Sequence, residues 1–96
     1  MQARRAIGKI RRVEGFEVKL VNLNDRALDP TDTVVGKFDF DNRSSDAITV
    51  RAWKEGRFSH SFFRSEGLRC EVLIKGGKNG VHGRTLLKTV RRTYDE

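Results

Sequence analysis

The chain has 96 residues, enough for one domain whose core has little to spare. At 36% apolar with six Phe, and without a repeat or low-complexity tract, the composition excludes a chain too polar to fold. No apolar run approaches the length of a membrane span, and basic residues interrupt the N-terminal stretch before a secretory core could form, so a soluble, cytoplasmic protein with no membrane partner is expected.

The net charge of +7 is unevenly spread: residues 1–20 and 51–94 are basic, whereas residues 21–50 hold six acidic side chains against three basic ones. If the fold brings the two basic ends together, they form a cationic surface suited to nucleic acid or another polyanion. The plainer alternative is a solvated basic surface with no ligand.

Residues 3–21 admit two readings. As a helix, Ala3, Ala6, Ile7, Ile10 and Val13 share a face and Gly15 follows the end. As a hairpin, Val13-Glu14-Gly15 is the loop, with Ala6, Gly8, Ile10, Phe16, Val18 and Leu20 on one side. The hairpin is preferred, because Gly8 would cost a helix about 1 kcal/mol and Ile7, Ile10 and Val13 are β-branched. Both readings share a strand over residues 16–21.

Residues 22–33 contain Asn24-Asp25 and Asp29-Pro30 and have no sustained period, so they read as a long loop. Residues 34–40 alternate with Val34, Gly36, Phe38 and Phe40 inward, and 42–46 form the next turn. Residues 47–75 then read as a three-stranded antiparallel meander, because Lys54-Glu55-Gly56 and Ser65-Glu66-Gly67 repeat one turn device in which glycine takes a left-handed position. The two turns imply one buried face, on which Ile48, Val50, Phe58, His60, Phe62, Cys70, Val72 and Ile74 meet. A glycine-rich basic loop follows at 75–80, and residues 85–94 fit either a strand or a short helix. The expected fold is therefore a single all-β domain over residues 1–96, a small antiparallel barrel or sandwich built on the meander with an N-terminal hairpin.

The outer face of that meander would carry Arg51, Trp53, Arg57, Phe63, Arg69 and Lys75, with Lys78 in the adjoining loop. Aromatics interleaved with cations on an open sheet are what single-strand binders use, since bases stack on the rings while cations meet phosphates. The expected function is a non-catalytic module binding RNA or single-stranded DNA. If Trp53 and Phe63 prove to be core, that expectation rests on charge alone and an assembly module is to be preferred. The alternative is a protein-interaction or assembly module, recognising an acidic protein surface or a second copy of itself.

Catalysis is not expected. His60 falls on the inferred buried face, and nothing places a nucleophile or second acid near it or His82, leaving a small basic ribonuclease as a remote alternative. One Cys and two distant His supply no metal site, and no cofactor motif is present: the 75–80 loop lacks the Lys-Ser/Thr ending of a nucleotide-binding P-loop. Cys70 cannot form an intramolecular disulfide and points into the inferred core.

Overall fold

A computed structural model of the chain describes residues 1–62, 64, 65 and 67–95. It corrects the expected all-β barrel to a mixed α/β fold, in which three helical rods pack with one open sheet of two antiparallel strands. The first correction comes at once. Residues Ala3–Glu14 form helix α1, not a hairpin, and bury Ala3, Ala6, Ile10 and Glu14 on one side. Gly15 ends the helix in the left-handed region at φ 81°, its N–H returning to the Arg11 carbonyl at 3.0 Å. Gly8 is tolerated because it lies on the exposed side, where its propensity cost of about 1 kcal/mol is outweighed by burial of the opposite face.

Strand β1, Glu17–Val21, lies where a strand was expected, and so does β2, Arg69–Leu73. Their partners were not anticipated: β1 pairs with β2, from Glu17 opposite Leu73 to Val21 opposite Arg69. This register sets Val18 and Leu20 beside Cys70 and Val72 on the core face, all four buried. Residues 34–40 form no strand: Val34 and Phe38 are buried, but Gly36 between them is exposed and Phe40 only half-buried, so the expected alternation is not kept.

The inferred meander dissolves between 47 and 62. Thr49 is a helix N-cap, its Oγ1 accepting the Ala52 N–H at 3.1 Å, and residues 50–61 run on as one rod, α2. Its turns are α-helical over Val50–Trp53, π-helical over Lys54–Phe58 and α-helical again over Ser59–Ser61. The wide turn has a packing reason. The core residues Trp53 and Phe58 are five positions apart, and the extra residue is absorbed where the Ser59 N–H reaches the Lys54 carbonyl. His60 consequently sits exposed on the outer side of α2 instead of in the core. Glu66, the middle of the second inferred turn, lies outside the described residues.

Leu87–Arg92 resolves the open choice at the C-terminus as a helix, α3. The starts of α2 and α3 satisfy one another. Val50 and Arg51 donate their N–H groups to the Thr85 and Gly83 carbonyls at 2.8 and 2.9 Å, while Leu87 and Lys88 donate to Ile48 and Asp46 at 2.9 and 3.2 Å. The start of α1 is served likewise by the 22–33 loop, through Ala3 N–H to Asp32 and Arg4 N–H to Pro30. Between these elements the core collects Phe16, Phe38 and Trp53, with Phe16 edge-on to Trp53 at 5.0 Å.

A pair of glycines separates this fold from the meander. Gly36 has φ 116°, and a Cβ there would collide with the Ser61 carbonyl oxygen, so Gly36→Ala should lower unfolding stability by about 1–3 kcal/mol in urea titration. Gly56 lies in open space within α2, and Gly56→Ala should leave stability unchanged or raise it by up to about 1 kcal/mol. A loss at Gly56 matching that at Gly36 would put residue 56 in a tight turn and overturn the helix.

Candidate nucleic-acid interface

The residues expected on one sheet face are dispersed. Arg51 is exposed on the first turn of α2, its Nε pairing with Glu55 at 3.1 Å. Trp53, two residues on, is fully buried, so it offers no ring for a base. Arg57 turns inward to Glu14 and stacks over the Phe40 ring at 4.4 Å. Arg69 opens β2 and pairs with Asp25, while Lys75 and Lys78 are exposed in the segment after β2. Phe63 lies outside the described residues. A basic and aromatic sheet platform is therefore corrected in its geometry: Arg51, Trp53 and Arg57 belong to a helix, and burial removes the one tryptophan from it.

What joins the basic ends of the chain is a buried ion cluster that sequence spacing did not reveal. Glu14 ends α1 fully buried. Its Oε1 accepts the Ser44 hydroxyl at 2.6 Å, the Ser44 N–H at 3.0 Å and Arg91 Nη2 at 2.9 Å, and its Oε2 accepts Arg57 Nη1 at 2.7 Å. Arg91, from α3, also donates Nε to the Glu14 carbonyl at 2.7 Å and Nη1 to the Ser44 carbonyl and to Asp46. Five donor contacts from Ser44, Arg57 and Arg91 thus meet one buried carboxylic residue, which is how such a charge is held inside a protein. Burial by itself would raise the Glu14 pKa. The Ser44 hydrogen bonds, the neighbouring Trp53 indole and the Arg57 charge outweigh it and hold the carboxyl below its ordinary value. The buried Trp53 indole N–H makes no hydrogen bond among the described residues.

With α1 docked in this way, its opposite side faces solvent. Arg4, Arg5, Gly8, Arg11 and Arg12 follow the one, four, seven, eight spacing of a single helix face, and all five are exposed. The stripe spans about 12 Å along the axis. Over Gly8 the surface dips into an open depression of about 390 Å³ between Arg5, Lys9 and Arg12. The only acid in α1 is the buried Glu14, so no carboxylate of the helix neutralises the stripe. Arg11 rests over the Tyr94 ring at 4.8 Å and so joins the stripe to the end of α3, where Arg92 is exposed. Tyr94 is anchored in turn, donating its hydroxyl to the Leu73 carbonyl at 2.6 Å and accepting the Glu17 N–H at 3.0 Å.

The remaining thiol is quiescent: burial raises the Cys70 pKa well above its ordinary range, so it is not a nucleophile. Among the described residues no helix is long and apolar enough to cross a membrane. No protein-family model, curated protein or solved structure shows significant similarity to the chain.

Glu14 gives the cluster a pH signature. Its folded pKa lies below the ordinary 4.5, so its contribution to stability is fully present above pH 4.5 and is lost as pH falls through the folded value. Glu14→Gln should therefore be less stable than the parent near neutrality by about 3–5 kcal/mol, and the gap should narrow in acid below pH 4.5. Urea titrations at a series of pH values check this; a gap that stays constant into acid would mean that Glu14 is not held ionised.

Proposed function

We propose that the protein is a non-catalytic nucleic-acid-binding module that lays the arginine stripe of α1 along backbone phosphates. The observation that carries this reading is that the N-terminal half of the stripe opposes the local stability of the helix bearing it, whereas Arg11 and Arg12 lie in the last turn, where the dipole favours cations. Arg4 and Arg5 occupy the first turn, where the helix dipole favours anions, and no acid is present there to offset them. Arg5 and Lys9 add a like-charge pair at i,i+4. Each effect costs a few tenths of a kcal/mol to about 1 kcal/mol, and bound phosphates would reverse the sign of all of them. Guanidinium groups also suit phosphate oxygens by their forked donor geometry.

The preference for single strands rested on stacking, and the burial of Trp53 leaves that preference without its main ring. Phosphate contacts remain, and these position a protein on any strand without reading sequence. The assembly alternative draws on the acidic middle segment as a dock for a neighbour's cations. Asp25, Asp39, Asp41 and Asp46 are paired within the chain to Arg69, Lys37, Lys9 and Arg91, which weakens that alternative.

Fluorescence anisotropy with short DNA and RNA duplexes and single strands, over a range of salt, tests the proposal. Affinity should fall steeply with salt, and the variant Arg4→Gln/Arg5→Gln/Arg12→Gln should flatten the logarithmic slope by roughly 0.7–0.9 for each phosphate contact removed. Because these side chains are exposed and Arg4 and Arg5 disfavour the helix, the variant should fold and melt at or slightly above the parental temperature. A folded triple variant with the parental affinity and slope would overturn the reading.

A further inference from the structure

A second cationic site lies on another part of the surface, where the 82–86 turn meets the start of α2. Arg51, His82, Gly83 and Arg84 line an open depression of about 510 Å³, and among the described residues no carboxylate lines it. The turn is built to hold this arrangement. Arg51 N–H reaches the Gly83 carbonyl at 2.9 Å, Val50 N–H reaches Thr85 at 2.8 Å, and Thr85 N–H closes the turn on His82 at 3.0 Å. Gly83 lies directly against Arg51, and a Cβ there would come within 3.2 Å of the Arg51 Cβ, so glycine allows the turn to sit close enough for both arginines to share one hollow.

His82 is oriented as well. Its Nδ1 accepts the Arg84 N–H at 3.1 Å, so in the neutral ring the proton is on Nε2, which becomes the ring's donor. The lining thus presents two guanidinium groups and an imidazole donor. The first backbone N–H groups of α2 are already used by Gly83, Thr85 and Thr49, so a ligand here would be held by side chains and not by a helix terminus. Glu55 pairs with Arg51 through Nε alone, an exposed contact that leaves the two Nη groups of Arg51 for another acceptor.

We infer that this depression is a binding site for a phosphoryl group, independent of the α1 stripe. Two arginines match the paired oxygens of a phosphate, and an imidazole donor supplies a third contact. The hollow is open to solvent, so it admits the phosphoryl group as part of a larger molecule, either a strand of nucleic acid or a free phosphoanhydride.

NMR of the full chain with labelled histidine and arginine side chains tests the site, using inorganic pyrophosphate and then oligonucleotides with and without a 5′-phosphate. Pyrophosphate should shift the His82 ring signals and the Arg84 Nε signal saturably, and Arg51→Gln and Arg84→Gln should each weaken its binding at least five-fold. Tighter binding of the 5′-phosphorylated strand would make the ligand a terminal phosphate. Equal binding of both strands, with the same His82 response, would make it a phosphodiester, and a response to pyrophosphate alone would make it a free phosphoanhydride. The Arg4→Gln/Arg5→Gln/Arg12→Gln variant should leave the His82 response to pyrophosphate intact, so failure of the α1 reading would be seen separately. Absence of any His82 response at saturating pyrophosphate, or an Arg51→Gln/Arg84→Gln double variant that binds like the parent, would overturn the inference.

Discussion

The buried carboxylate of Glu14 is the constraint around which the chain closes. A full negative charge inside so small a core is unfavourable unless it is paired and hydrogen-bonded throughout, and the groups that satisfy it come from distant parts of the chain: Ser44, Arg57 on α2 and Arg91 on α3. Satisfying Glu14 therefore draws the C-terminal end of α1, the middle of α2 and the last helix to one point. The edge-to-face pair of Phe16 and Trp53, with Arg91 over Phe16 at 5.7 Å, packs beneath that point. Removing one partner would leave the others as unpaired buried charges, which is why the cluster acts as a unit.

This arrangement sorts the cations of a basic chain into two kinds. Arg57 and Arg91 are consumed in the interior, where they make the fold. Arg4, Arg5 and Arg12 stay in solvent on the far side of α1, and Arg51 and Arg84 on the rim of the 82–86 turn. The interior pairing sets where the displayed charges lie, because Glu14 fixes the rotation of α1 and hence the direction of its outer face. Structure and proposed function meet in that one helix orientation.

Parts of this were legible in the residues. The two strand segments, the long loop at 22–33 and the burial of Phe16 and Cys70 follow from alternation and turn chemistry, whereas Phe38 and Phe58 are buried as expected but not in the strands that placed them there. Residues 50–61 misled for a physical reason: Val50 and Trp53 are followed by Phe58 and not by an apolar residue at 57, so the spacing departs from 3.6 where the helix widens, and Lys54-Glu55-Gly56 resembles a hairpin loop. Thr49 ahead of Val50 was the available signal for a cap. In α1 the spacing of Ala3, Ala6 and Ile10 stated the helix, but Gly8 and Val13-Glu14-Gly15 stated a turn equally well. The ion cluster was not readable at all, since Glu14 and Arg91 are separated by most of the chain and nothing local marks either as buried.

A double-mutant cycle across Glu14 and Arg91, with unfolding free energies from urea titration at neutral pH, tests this dependence most directly. Glu14→Gln and Arg91→Met should each be strongly destabilising, and the double variant should be far less so than their sum, with a coupling of about 1–3 kcal/mol. Additivity within roughly 0.5 kcal/mol would contradict it, because the two groups would then not share a site and the orientation of α1 would need another cause.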